Sequence, residues 1–292
     1  MSRARASLLA LLFSSSALLS AHGQSGDLDL PKTVVAGAAF SIPTAGSGKG
    51  VLYIFGPAQV VKRDTQLGQP VEFAAGDLNN AGHYVAVLAS DSSTQTGEFD
   101  VAPASQPASL SFLARPSRIP VNLQNGITAA VYVFDSYQNL ITSPTPVSFQ
   151  LSVPSAPAQT RTVVTNQGAA WTGMSSATKE GNAKFVAQAG DISATRVIQQ
   201  VPGDPCGLRM SAHKVGDKLD LETDPLRDCG GNAVTDGTIV TFTESWNGGQ
   251  TTVDVPVKHG IAQAEVPANI GARISVATGV VMGNEIRWEG HE

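Results

Sequence analysis

Cysteine, charge and aromatic residues are all scarce in this chain of 292 residues. Two cysteines allow at most one disulfide, which excludes a small scaffold stapled by several bridges. Charged residues reach only 15%, against about 25% in ordinary globular domains. The 19 basic residues are outnumbered by 24 acidic ones and form no cluster, so no nucleic-acid partner is expected. Stretches rich in Ala, Glu, Lys and Leu at helical period are missing after the N-terminus, which argues against a helical bundle. Catalytic signatures are missing too. There is no G-x-S-x-G elbow. Gly46-Ser47-Gly48-Lys49-Gly50 lacks both the earlier glycine and the Ser or Thr of a phosphate loop, and reads as a hairpin. The five histidines are scattered, with no metal-ligand spacing. No catalytic residue, metal or cofactor is expected, and the chain is not read as an enzyme.

What is present begins with an address. Arg3 and Arg5 precede an apolar run, Ala6 to Leu19, that is too short to span a membrane comfortably. Ala21 and Gly23 are small residues at the -3 and -1 positions of a cut before Gln24. This is the layout of a secretory signal peptide over residues 1–23. The protein is therefore expected to be exported, periplasmic or extracellular, with no membrane span after cleavage. In an oxidising compartment Cys206 and Cys229 are expected to pair. Closing that loop stabilises by about 3 kcal/mol in the chain-entropy account.

The remainder is abundant in Gly (29) and Pro (17) and reads as strands and turns. Segments such as Val51–Phe55, Tyr84–Ala89, Ile127–Phe134, Val147–Val153, Ala183–Ala189, Thr238–Thr243 and Thr251–Val257 are rich in Val, Ile, Thr and Phe. Val147, Phe149 and Leu151 share one face, with Ser148 and Gln150 on the other. Short strands at 8–12-residue spacing indicate β-sandwiches. Outward positions filled by Ser, Thr and Gln account for the low charge.

An internal repeat resolves the domain count. Asp135 and Asn139 answer Asp228 and Asn232; Val147 and Phe149 answer Val240 and Phe242. Gln167-Gly168-Ala169-Ala170 answers His259-Gly260-Ile261-Ala262, and Lys184 to Gly190 answers Arg273 to Gly279. An offset drifting around 90 residues marks two homologous units. The Asp-x-x-x-Asn element reads as a tight structural turn, because these side chains hydrogen-bond nearby backbone amides. Its alternative is a calcium site from Asp228, Asn232 and Asp236, which offers few of the six to eight oxygens calcium takes.

The segments Asp228-Cys229-Gly230-Gly231-Asn232-Ala233-Val234, Val240-Thr241-Phe242-Thr243 and Gly260-Ile261-Ala262 together resemble the bacterial Ig-like repeat of the invasin/intimin type. Residues 206–289 carry the resemblance most fully and 107–201 more loosely. Ala233 stands where that pattern has Pro, and Tyr137-Gln138 where it has Gly in the earlier repeat; both departures are expected to weaken the turn chemistry but not the strand pattern. The resemblance implies immunoglobulin-like sandwiches and, for function, stalks or adhesive modules.

Residues 24–103 read as a divergent immunoglobulin-like domain. Its Asp77 to Ala86 stretch is similar to the corner before strand F, with Tyr84 as the corner tyrosine and Ala86 where a Cys often stands. The whole is thus expected to be all-β: three tandem immunoglobulin-like sandwiches after a signal peptide. Linkers near 102–107 and 201–205 each carry two prolines, which would stiffen the chain into a semi-rigid rod.

Functional interest centres on aromatics. Trp246, in Glu244-Ser245-Trp246-Asn247-Gly248, reads as a hairpin tip that either contacts a sugar or protein or folds back over its own sandwich. Tyr137 is a similar candidate in the second domain's turn. Trp171 and Trp288 are read as packing residues. The expected role is a structural, adhesion or assembly module of the cell envelope. The alternative is a carbohydrate-binding or enzyme-accessory module. Its partner would be another envelope protein or a glycan.

Overall fold

A computed structural model describes residues 26–154 and 156–290; the expected signal peptide, residues 1–23, lies outside the described residues. Strands and turns make up the described chain, and none of its helices is long and apolar enough to cross a membrane. Two compact units result, divided after Ala102. Three separate hydrophobic cores are built from residues 28–101, 112–198 and 208–288.

The second unit holds two sandwiches with the same strand order. In the first of them, Ser109–Arg115, Ile127–Phe134 and Ala169–Met174 form one sheet. Ala156–Val164, Pro146–Val153, Gly181–Ala189 and Ile192–Val201 form the other, extended by the short parallel strand Arg118–Pro120. In the second sandwich, Met210–Val215, Lys218–Thr223 and Gln263–Pro267 face Gly249–Pro256, Ile239–Trp246, Arg273–Thr278 and Val281–Arg287. With the seven long strands of each sandwich counted in chain order, the first, second and fifth face the fourth, third, sixth and seventh, which is the immunoglobulin arrangement.

Alternation explains both cores. Val147, Phe149 and Leu151 point inward while Ser148, Gln150 and Ser152 point out. Phe112, Phe149 and Phe185 come from three different strands and meet as a ring cluster, with centroids 5.4–6.3 Å apart. The outer face of the larger sheet carries cross-strand rows such as Thr162–Ser148–Gln188–Ser193. Its counterpart carries Thr252–Thr243–Ser275–Glu285. Hydroxyl and amide side chains fill most positions of these rows, which accounts for the low share of charge.

The repeat is visible in backbone geometry. Gln167-Gly168 and His259-Gly260 both take positive φ, 48° and 79° against 52° and 83°. Positive φ at both central residues makes a two-residue hairpin that follows strand twist. One difference concerns the first strand. The earlier sandwich ties it to the larger sheet through Arg118–Pro120. The later one uses a side chain: Asn284 accepts from the Met210 amide at 2.7 Å and donates to the Met210 carbonyl at 3.0 Å. That amide reproduces a backbone pair.

The first unit is built differently. Its principal sheet runs Gly26–Asp27, Thr94–Ala102, Gly82–Ser90, Lys49–Phe55, Val60–Gln66, with Thr33–Val35 also on Thr94–Ala102. The second layer is two three-residue strands, Phe40–Ile42 and Val71–Phe73. Tyr84 lies between the layers, its ring fully buried and 5.5 Å from that of Phe99. Gly56 lies flat against that ring, where any Cβ would come within 2.1–2.6 Å of it.

Candidate functional sites

The most constrained residues are the two Asp–Asn turns. Asp135 is fully buried. Its Oδ1 accepts from the amides of Tyr137 and Asn139 at 2.9 and 2.8 Å; its Oδ2 accepts from the Asn139 side chain at 3.0 Å. One further donor reaches Oδ2 from a distance in sequence, the amide of Ala104 at 2.9 Å. Asp228 repeats this wiring. Oδ1 accepts from the amides of Gly230 and Asn232 at 2.8 and 2.9 Å, and both oxygens accept from the Asn232 side chain. Its distant donor is the amide of Gly203 at 2.9 Å. In each sandwich, then, the turn carboxylate pins the linker that enters that sandwich.

The two carboxylates face groups of one polarity. Every group aimed at the two carboxylates is an N–H donor, which a calcium ion would repel. Among the described residues no cluster of three His, Cys, Asp or Glu could hold a metal. Burial alone raises the pKa of both carboxyls; the hydrogen bonds from Asn139 and from Asn232, with the backbone amides, outweigh it and hold both below the usual carboxylate value. The earlier turn keeps its wiring without glycine. Gln138 adopts φ 65° where its counterpart Gly231 adopts 75°, so the substitution leaves the hydrogen bonds intact and transfers the left-handed strain to Gln138.

The later turn does more, because it clasps the preceding sandwich. Asn232 donates from Nδ2 to the Thr178 carbonyl at 2.9 Å and accepts on Oδ1 from the Glu180 amide at 3.2 Å. Lys179 Nζ donates to the Gly230 carbonyl at 2.6 Å. Gly230 packs so closely that an added Cβ would lie 2.2 Å from the Thr178 carbonyl oxygen. The linker is fixed from its other side by the Cys206–Cys229 disulfide and by the Cys206 amide, which donates to the Arg227 carbonyl at 2.9 Å.

Tyr84 donates its hydroxyl to the Asn80 carbonyl at 2.7 Å. This is the bond of a tyrosine corner, and burial raises the phenol's pKa.

The aromatics divide. Trp246 is 44% exposed, and its indole N–H donates to the Ile270 carbonyl at 3.3 Å. It therefore leans on a neighbouring loop while leaving half its surface open. Tyr137 stands partly exposed on its turn. Trp288 is buried, in line with its reading as a packing residue. Trp171 is not: it is 75% exposed, which corrects the same reading made for it. The cause is register. Ala170 and Thr172 point into the core, so Trp171 stands on the outer face of its sheet. It pairs with Ala130, which pairs in turn with Leu113, and Tyr132 stands on the next row. Sequence reasoning missed this face. The repeat held the signal, since Trp171 occupies the position of Gln263, an exposed residue.

The strand order and the tyrosine corner place the chain among immunoglobulin-like β-sandwich proteins. No family model matches it, and neither does any curated protein. Solved structures similar to it include invasin, a bacterial integrin-binding protein, at 10% identity and TM-score 0.46 over 86% of this chain. The chain spans 59% of that structure's length. InvD of Yersinia pseudotuberculosis is similar at 12% identity and TM-score 0.48, with 88% of this chain and 94% of that one covered. Three fibronectin-type domains of chicken CNTN1 are similar at 12% identity and TM-score 0.38, with 91% and 97% covered.

Two outcomes follow from this geometry. Because the folded pKa values of Asp135 and Asp228 are depressed, their contribution is complete above the unfolded carboxylate pKa of about 3.9 and is lost as pH falls through the folded values. Urea unfolding of the second unit should be flat in pH near neutrality and weaken below about pH 4, and Asp228→Asn should flatten that acid slope. Separately, Gly230→Ala should open the joint without unfolding either sandwich. Hydrogen exchange at the Glu180 amide should accelerate while core amides such as Phe149 and Phe242 stay protected. Unchanged exchange at Glu180 would contradict the clasp.

Proposed function

We propose that this chain is an exported, non-enzymatic immunoglobulin-like protein that serves as a structural, adhesion or assembly module of the bacterial cell envelope. The observation that carries this reading is the pinned joint. Both Asp–Asn pairs of the second unit hold linkers, and one of them also grips the neighbouring sandwich. Holding domains at a set angle is what a spacer or display module requires, and a site for chemistry would leave such groups available. Export is supported by the charged, apolar and small-residue order of residues 1–23. The disulfide fits an oxidising compartment.

The test is fractionation of cells producing a C-terminally tagged chain. The protein should leave the cytoplasm with Gln24 as its first residue and a mass about 2 Da below the dithiol form, for the two hydrogens lost on pairing. A cytoplasmic product that keeps its leader and two free thiols would contradict the proposal. Pull-down from the envelope fraction would then identify the partner.

A second reading, carbohydrate binding, is favoured by one observation. Trp171 presents an indole on a sheet face beside Tyr132, and is more exposed than Trp246. Aromatic faces of this kind stack on sugar rings. On a glycan array, binding that is lost in Trp171→Ala and retained in Trp246→Ala would support it; an array without signal would not.

A further inference from the structure

The outer face of the first unit's principal sheet differs from the Ser/Thr/Gln faces of the other two sandwiches. Val51, Tyr53 and Phe55 lie along one central strand and Val85, Val87 and Ala89 along the next, all pointing away from the core. Phe55 is 45% exposed, and its ring is near-parallel to that of Tyr53 at 6.2 Å between centroids. The two segments read Val-Leu-Tyr-Ile-Phe and Tyr-Val-Ala-Val-Leu-Ala. They lack polar alternation, the pattern of strands covered on both faces. One face is covered by the core of the unit.

Charges of both signs flank this apolar centre: Lys49 at the start of the central strand, Glu98 opposite Val85, and Lys62 and Asp64. Lys62 and Asp64 stand two residues apart on the neighbouring edge strand, both exposed and both on the outer face. Lys62 shares a cross-strand row with Tyr53 and Val87; Asp64 shares the next row with Val51 and Ala89. Among the described residues neither takes part in an ion pair.

We propose that this face is the contact surface for a second copy of the chain. A two-fold axis running across the strands, between these two rows, exchanges them. Lys62 of one copy then meets Asp64 of the other, and Asp64 meets Lys62, while the Tyr53 row lies over the Val51 row. An isologous contact requires this reciprocity, residue i on j and j on i. Packed sheets lie about 10 Å apart with side chains interdigitated, which suits the mix of Tyr and Phe with Val and Ala.

The area sets the strength. Four strands about 4.8 Å apart and some seven residues at about 3.3 Å each give a footprint of roughly 400 Å² per copy. That is about half the 800 Å² per partner of a standard interface, so the dimer is weak and concentration-dependent.

Sedimentation equilibrium of the purified chain tests this. The native protein should show a monomer–dimer equilibrium with a dissociation constant in the range of about 10–300 µM. Lys62→Glu and Asp64→Lys, each placing like charges in contact, should each weaken association about tenfold or more. Lys62→Glu combined with Asp64→Lys should restore it to within about threefold, since the reciprocal pairs re-form. Both positions are exposed on an edge strand, and the restoring double variant separates a charge effect from a folding defect. A chain that stays monomeric at several hundred micromolar (roughly the weak limit of such interfaces) would overturn the proposal, as would dimerisation indifferent to these substitutions. A different partner on this face would give the monomeric result.

Discussion

The second unit depends on a carboxylate supplied with more donors than a surface turn needs. Asp228 gathers the amides of its own turn, the side chain of Asn232, and one amide from the linker 25 residues earlier. A buried carboxylate without partners would be expensive, and one that accepts several N–H bonds is stable only while all of them are made. The turn conformation, the path of the linker and the position of the Asn232 amide are therefore set together. Because that amide also bonds to Thr178 and Glu180, the same interaction fixes the angle between two sandwiches. Asp135 repeats the inner part of this arrangement on Ala104, so the device belongs to the repeat rather than to one joint.

The rest of the unit answers to this constraint. Prolines 202 and 205 restrict the linker. The disulfide ties its far end to the residue after Asp228. Gly230 supplies the close approach to Thr178 that no side chain permits. These features make a joint of defined geometry, and they leave the outer sheet faces free to differ. One face is hydroxyl-rich, one carries Trp171 and Tyr132, and one in the first unit is apolar with a reciprocal charge pair.

Much of this was legible in the sequence, for identifiable reasons. Ile127–Phe134 coincides with its strand because alternation and turn residues bound it on both sides. The hairpins at Gly168 and Gly260 were marked by the repeat. The edge strand Val60–Gln66 and the interior strand Thr94–Ala102 carry no such signal, since sequences rich in charge and threonine lack the apolar signature. Trp171 reads as a packing residue by its type alone; its register, shared with Gln263 of the later repeat, places it outside. The unbroken apolar runs at 51–55 and 84–89 read as strands, and their missing alternation is the sequence counterpart of the apolar outer face. The linker pins and the clasp were out of reach, because their partners lie 25 to 54 residues apart and no local pattern joins them.

The central claim is that the Asp228–Asn232 turn holds the two sandwiches of the second unit as one body. Residual dipolar couplings of backbone amides in the native chain, measured in a weakly aligning medium, test it most directly. Amides from residues 107–201 and from residues 206–289 should fit a single alignment tensor, and Asp228→Ala should split it into two. Two distinct tensors in the native protein would contradict the account.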